Sequence, residues 1–552
     1  MAVLDFKGKR FIQNYHLTVK YHQLVPKKEK SLTSKVNLHD NLIIHGDNLK
    51  ALKALLPTYA GKIKCIYIDP PYNTGNEKWK YNDNVNSPMM QEWLGKVVDK
   101  EDLTRHDKWL CMTMPRLKLL RELLHDDGVI FVSIDDNEIH HLRQLMDEVF
   151  TENNFVNMFA WQSRTSKQND TDISVNHEYV VAYAKNRRII ERRLKSSNIR
   201  NWLNIPGFVY LPLPLDRSKF SNPDNDPRGD WKADPFDAPG VRRNLTYTIK
   251  NPNTGVEYLP PVGRHWGNKE DKYNQLLNDK RIVFGSDGQG RPQLKVFYNE
   301  KRLYGEVDTT WWDGNTRGTV TEGTKELQKI FNSRTVFEFP KPVRLVKYLL
   351  RIASRDLDDI VLDSFAGSAT TAHAVLALNK EDGGNRRFIL VECEDYADKI
   401  TAERVRHVIK GIPAAKDEAL RKGLGGSFSY FELGDPIEME SILAGDSLPS
   451  YKELARYVFY TATGEEFDDT KVDESRNFVG ESREYHVYLL YKPDTDYLKS
   501  TALTLEHAKA LGPYVGKKRL VFAPAKYLDQ QHLLEFHIDF AQLPFEIYKL
   551  AK

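Results

Sequence analysis

The sequence predicts an α/β fold that is interrupted once, then completed, and followed by a smaller α+β region. Three observations predict it. From residue 41 to about 186, short apolar runs alternate with segments whose apolar residues recur at helical spacing. From 187 to 334 that periodicity fades into a stretch rich in Pro, Gly, Trp and Tyr, too long and too aromatic for a linker. From 335 to 412 the alternation resumes. The expected organisation is therefore an N-terminal segment (1–40), a first α/β half (41–186), an inserted domain with its own small core (187–334), a second α/β half (335–412) and a C-terminal region (413–552).

In order along the chain, "NLIIHGD", "IKCIYID", "DGVIFVSID" and "HEYVVAYAK" read as strands. Between them, "NLKALKALLPTY" and "MPRLKLLRELLHD" carry apolar residues at helical spacing. The second half opens with a helix, "KPVRLVKYLLRIAS", followed by the strand–turn–helix "DDIVLDSFAGSATTAHAVLALN" and the strand "RRFILVE". After Gly411, "LGGSFSYFELGDP" reads as a linker into a region with strands near "EYHVYLLYK" and "KRLVFAPA". No internal repeat is visible.

Bulk properties exclude more than they select. A chain of 552 residues with 40% hydrophobic and 28% charged residues can bury a large core. No apolar run approaches the ~20 residues of a membrane span, and the N-terminus lacks a signal-peptide core. Cys65, Cys111 and Cys393 form no CxxC pair, which argues against a disulfide framework and a cysteine zinc site and for a reducing cytoplasm. The net charge of +3 means that any polyanion must be met by a local basic surface.

Two stretches carry chemistry. In "IVLDSFAGSATTAHAV" a strand ends at Asp363, and Phe365, Ala366, Gly367 and Ser368 form a small-residue turn before a helix near Thr370. Such a turn lets a ligand approach backbone N–H groups at a helix N-terminus. The next strand ends on Glu392, where an acidic residue would hydrogen-bond a ribose diol. The plain alternative is a tight turn with a surface glutamate. In "CIYIDPPYNTGN" a buried strand ends on Asp69, Pro70 and Pro71 stiffen the backbone, and Tyr72 is presented. A carboxylate and a neighbouring carbonyl can together accept both protons of an exocyclic amino group. That draws the nitrogen lone pair out of ring conjugation and makes it nucleophilic. Tyr72 can stack on the attached ring, worth ~1–3 kcal/mol per base.

Together these motifs resemble the amino-group DNA methyltransferases that use S-adenosylmethionine, in which "DPPY" marks the base site and an "FxGxG"-like loop holds the donor. Here Ala369 stands where many members have the second glycine, a methyl expected to crowd the donor slightly. The base motif precedes the donor loop, which resembles the permuted β-class. The finer resemblance is to modification subunits of type III restriction–modification systems, carried by "HGDNLKALKALL", "DPPYNTGN", "GVIFVSIDDNE", "GTKELQKIF", "FPKP" and "FAGSATTAHAV".

The resemblance implies a permuted Rossmann-like methyltransferase fold with a seven-stranded mixed sheet, an inserted target-recognition domain and a C-terminal α+β region. It implies Asp47 near the donor's adenine, Lys341 near its methionine carboxylate, and transfer to a base flipped out of double-stranded DNA. An aspartate at the first motif position is, in this family, typical of adenine N6. No metal is expected to be required. Asp135 and Asp136 could pass for a metal pair, but no histidine follows at ligand spacing, so they read as a strand end near the base pocket. His177 and Glu178 read as structural, and Trp311 and Trp312 as domain core.

For DNA contact the candidates are Arg187, Arg188, Arg192, Arg193, Lys195 and Arg200 on phosphates, with Arg242, Arg243 or Arg317 on guanine edges. No GxxxxGK[ST] loop is present, so ATP-driven restriction would sit on a separate helicase–nuclease subunit. Modification could then run from a homodimer, with 413–552 as a dimerisation or docking region. N4-cytosine methylation, a catalytically silent DNA-recognition scaffold and amide methylation of protein or RNA are the competing readings. The intact Asp69–Tyr72 motif argues against the scaffold.

Overall fold

The computed structural model describes residues 4–74, 105–167, 172–188, 207–210, 215–285, 287–302, 305–334, 336–354, 356–413, 415–416, 418–437 and 448–543. The chain divides into two compact units, one of residues 1–188, 206–208 and 310–552, the other of 189–205 and 209–309.

The first unit is built on a ten-stranded sheet. Its strands are β1 (His22–Pro26), β2 (Leu42–His45), β3 (Ile63–Ile68), β4 (Leu124–Ile134), β5 (Phe155–Gln162), β6 (His177–Ala184), β7 (Trp311–Trp312), β8 (Ile360–Asp363), β9 (Arg387–Glu392) and β10 (Ser429–Pro436). Across the sheet they run β1-β10-β2-β9-β8-β3-β4-β6-β5-β7. The expected seven-stranded mixed sheet is the stretch from β2 to β5: β2, β9, β8, β3 and β4 are parallel, and β6 enters antiparallel.

All six residues of β3 are buried. Helices cover a parallel sheet on both faces, so its strands read as continuous apolar runs. The register sets Val361 of β8 against Cys65 of β3, and Leu362 against Ile66. Strand ends some 300 residues apart in sequence are thereby placed side by side.

Three strands extend the expected seven. "SYFELGDP", expected as linker, is β10, parallel to β2 and antiparallel to β1. Its first three residues are buried and the rest are partly buried or, at Asp435, exposed, which blurs its apolar pattern. The N-terminal segment contributes β1. Trp311 and Trp312 form β7 against β5, and Trp312 stacks on Phe159 at 4.1 Å between centroids, whereas Trp311 is exposed. Residues 310–334, expected in the insert, thus belong to the sheet unit because β7 pairs with it.

The C-terminal residues of this unit form a four-stranded sheet, β11 (Phe478–Glu481), β12 (Tyr485–Leu489), β13 (Lys518–Ala523) and β14 (Ile538–Gln542), in that order. The helix Tyr451–Thr463 packs on it, opened by a capping box between Ser450 and Glu453. Phe467 N–H donates to the Pro57 carbonyl at 3.1 Å, tying this region to the helix after β2.

The second unit has the small core expected of the insert. Trp231–Pro235, Pro292–Phe297 and Ile282–Phe284 form a three-stranded antiparallel sheet, and Phe236, Ile249, Trp266, Tyr273, Ile282 and Phe284 cluster as its interior.

Candidate active site

β3 ends at Ile68, and Asp69 emerges at the carboxyl edge of the sheet, the edge at which open α/β sheets bind ligands. Below it the Tyr67 hydroxyl pairs with Ser133 Oγ at 3.0 Å. The two prolines are held from the side: Trp109 Nε1 donates to the Pro71 carbonyl at 2.7 Å. Asn73 then turns the chain with a left-handed φ of 58°. Its amide donates to the Glu138 carboxylate and, at 3.3 Å, to the Arg105 carbonyl, an anchor that offsets the strain of that backbone.

Asp69 is not alone. Lys341 Nζ donates to both its oxygens, at 2.8 and 2.7 Å, and lies 3.5 Å from Glu178. The Tyr72 hydroxyl donates to Glu178 at 2.9 Å, and Lys341 sits 5.0 Å over the Tyr72 ring. Burial raises the Asp69 carboxyl above its ordinary range, with Lys341 pulling the other way. Burial pulls the Lys341 ammonium down, but Asp69 and Glu178 outweigh it and hold the ammonium above its usual value. Lys341, expected at the donor's carboxylate, is therefore on the acceptor carboxylate in this structure.

The donor loop follows β8. Asp363 accepts from Phe365 N–H at 3.0 Å and from the Thr371 hydroxyl at 2.6 Å, closing the turn on itself. Gly367 and Ala369 both take left-handed conformations, φ 50° and 63°. Beneath the loop the buried Arg404 guanidinium donates to the Ser368 carbonyl at 3.1 Å and to Thr370 Oγ1 at 2.9 Å. Burial pushes the carboxyls of Asp363 and Glu392 up to about 7.

One cavity of about 730 Å³ joins the two halves. Asp69, Tyr72 and Lys341 line it on one side and Phe365, Gly367 and Thr370 on the other. Its volume is that of a site for a molecule of nucleoside size or larger.

Several expected residues sit elsewhere. Asp47 caps the helix Asn48–Tyr59, accepting from Lys50 N–H at 3.0 Å, and is not on the cavity wall. Glu392 is buried and accepts from the N–H groups of Gly367, Cys393 and Glu394 at 2.7, 2.9 and 3.0 Å; it is off the cavity wall, which Glu394 lines instead. Ala369 is fully buried and off the cavity wall, so its methyl does not crowd the donor space.

Other residues escaped the sequence reading. Glu178, read as structural, is at the acceptor carboxylate. Phe337 and Tyr396, in edge-to-face contact at 5.5 Å, line the cavity. Asp135 closes its own turn, accepting from Asn137 N–H at 3.0 Å. The histidines are nonetheless nearby: His106, Glu138 and His141 bring ligand-type atoms within 4.8 Å of one another. His106 Nδ1 and His141 Nδ1 lie 2.6 and 2.8 Å from separate Glu138 oxygens, and Asn73 donates to one of them, so this buried carboxylate is a hydrogen-bond hub.

Of the arginines, Arg187 is tied into the sheet unit through the Phe155 carbonyl and Asn154. Arg188 joins Phe208 by a backbone bond of 2.8 Å. Arg317 lies 3.5 Å over the Tyr348 ring, while Arg242 and Arg243 are exposed on the second unit. Arg192, Arg193, Lys195 and Arg200 lie outside the described residues, as do Gly75 and Asn76 of the "NTGN" turn.

Residues 63–403 match the family described as DNA methylase (N6_N4_Mtase), a span that begins with β3 and includes both cavity walls. The chain belongs to the DNA methylase family. Among curated proteins it is 32% identical over 495 residues to the type III restriction–modification enzyme StyLTI Mod subunit of Salmonella typhimurium, covering 84% of this chain and 70% of that one. It is 32% identical to the EcoP15I Mod subunit of Escherichia coli, of which it spans 60%, and 30% identical to the type II methyltransferase M.KpnI of Klebsiella pneumoniae, of which it spans 79%. The solved PvuII DNA methyltransferase (cytosine-N4-specific) is similar over 69% of this chain and 89% of its own, at 12% identity and a TM-score of 0.33. No helix among the described residues of this methylase is long and apolar enough to cross a membrane.

Proposed function

We propose that this methylase transfers a methyl group from S-adenosylmethionine to the N6 amino group of an adenine flipped out of double-stranded DNA, as the modification component of a type III restriction–modification system. The observation that carries the reading is the single cavity walled by Asp69 and Tyr72 on one side and the donor loop on the other.

The residues present fit such a donor. Phe337, Tyr396 and Ile400 offer apolar faces for a base, Glu394 a carboxylate for sugar hydroxyls, and the turn at Gly367 leaves room where a Cβ would meet the Phe337 ring at 3.1 Å. When bound, the donor supplies a methyl group already made electrophilic by its sulfonium. What remains for the chain is to orient and desolvate. Asp69 and a carbonyl of the Pro70–Pro71 segment accept the two amino protons, and Tyr72 stacks on the base. Lys341 moves from its two-oxygen grip on Asp69 to leave one oxygen for the incoming N–H. As the N–C bond forms at the expense of the sulfonium's S–C bond, a neutral thioether leaves and the positive charge passes to the amino nitrogen, which then releases a proton to solvent.

The second unit, with Arg242 and Arg243 exposed, is the candidate reader of the recognition sequence. A homodimer, with the C-terminal sheet as its contact or as the docking site of a restriction subunit, completes the reading. Sequencing the methylome of a host that expresses the chain tests it. N6-methyladenine at one short motif is the expected result; N4-methylcytosine would move the reading to the other base, and unmodified DNA would overturn it.

A further inference from the structure

We propose that Glu178 is the positioning residue that keeps the acceptor site negative in the presence of Lys341. The inference rests on the methyl-transfer reading above. Glu178 is the second residue of β6, and because β6 runs antiparallel to its neighbour β4, its N-terminal end lies at the edge where β3 and β8 end. Tyr179 pairs with Ile134, the last residue of β4, so Glu178 stands just beyond the end of that strand. There it accepts from the Tyr72 hydroxyl at 2.9 Å and faces Lys341 at 3.5 Å.

The charge count gives the position its meaning. Asp69 and Lys341 alone are a neutral pair, because the ammonium contacts both carboxylate oxygens. An amino nitrogen that turns positive during methyl transfer would meet a quenched carboxylate with an ammonium beside it. With Glu178 the cluster holds two carboxylates and one ammonium. Lys341 can lean on Glu178 while Asp69 keeps its charge for the reacting nitrogen. A preorganised charge aimed at where charge develops is the usual source of large rate effects. The same carboxylate fixes the Tyr72 ring through its hydroxyl, so one residue sets both the field and the stacking face.

Glu178→Gln separates these roles. Its amide oxygen can still accept from Tyr72, but the charge is gone. The single-turnover rate at saturating donor is expected to fall about 10²-fold. Donor affinity by calorimetry, and the fluorescence of 2-aminopurine at the target position, are expected to stay at wild-type values. Adding Lys341→Met to Glu178→Gln removes the opposing charge, leaves Asp69 as the net negative group, and is expected to recover about tenfold of the lost rate. A role limited to holding Tyr72 predicts instead that Glu178→Gln is near wild type and that Tyr72→Phe reproduces Glu178→Ala. That pattern, or a double variant no faster than Glu178→Gln, would overturn the inference while the wild type stays active. A wild-type chain that methylates no DNA would overturn the functional reading, and this inference with it.

Discussion

Replacing Ala369 by glycine sets two energies of similar size against each other. Ala369 holds φ 63° and ψ 36° immediately before the helix Thr370–Asp382, a left-handed conformation that costs a residue with a Cβ roughly 1–2 kcal/mol. Glycine removes that cost. Against it, the Ala369 methyl is fully buried, and losing one buried carbon costs about 0.8 kcal/mol. The freer unfolded chain costs roughly 0.4–1 kcal/mol more. Gain and loss nearly cancel, so the expected change in unfolding free energy is within about 1 kcal/mol of zero.

The second expectation concerns the ligand. The methyl is off the cavity wall, so donor affinity should change less than about threefold, under 1 kcal/mol. Urea unfolding reads the first quantity, and calorimetric titration with S-adenosylhomocysteine reads the second. A tenfold tighter complex would mean that the methyl faces the donor after all, and the placement of the loop would be wrong. A loss above about 3 kcal/mol would mean that packing of the methyl outweighs its backbone strain.

Three further outcomes follow from the site. Asp69→Ala should abolish methyl transfer, followed with a labelled donor, while calorimetric donor binding persists; transfer at the wild-type rate would remove Asp69 from the chemistry. Glu138→Ala strips the buried hub from Asn73, His106 and His141 and should cost about 3 kcal/mol in urea unfolding, since each stranded donor costs roughly 1–3 kcal/mol; a loss under 1 kcal/mol would contradict the hub. Glu392, pushed up from 4.5 to about 7 by burial, binds its proton more tightly folded than unfolded, so its stabilisation is full below pH 4.5 and is lost as pH rises to 7. Glu392→Gln should flatten the fall in the urea midpoint across that window by about one proton, and parallel profiles for variant and wild type would refute the assignment.

The parts of the fold and site that were legible in the sequence share a physical cause. β3, β8 and β9 are buried strands, so residues 65–68, 360–362 and 388–391 read as apolar runs whose ends stand out as Asp69, Asp363 and Glu392. The small residues after Asp363 marked a turn that a backbone could not otherwise make. What stayed illegible depended on long-range pairing. "SYFELGDP" is only partly buried, so nothing in its composition separated the strand β10 from a linker. Glu178 looked structural because its placement follows from the direction of β6, which no local pattern states. His106 lies 32 residues before Glu138, beyond any spacing rule, although the Glu138–His141 pair at i, i+3 was there to be seen. Asp47 carried a readable signal that the resemblance overrode: an aspartate directly before an apolar helix is a cap.

The order of the two halves along the chain is free to be permuted because the site is made by sheet register, not by chain sequence. Val361 against Cys65 and Leu362 against Ile66 fix where β8 and β3 end, and the ends of those strands are all that Asp69 and Phe365 need in order to face one cavity. The residues that hold the acceptor segment obey the same rule. Glu178 comes from the start of β6, Trp109 and Glu138 from the elements flanking β4, and Lys341 from the segment before the helix Val343–Ala353. Each reaches the edge by a separate return of the chain, and each meets Asp69, Pro71, Tyr72 or Asn73 at hydrogen-bonding or ion-pair distance. An insert placed between β6 and β7 lengthens one connection without touching any of these pairings, and loop length raises the cost of closure only logarithmically. The sheet can therefore carry a separate domain between its halves while the acceptor carboxylate keeps its partners.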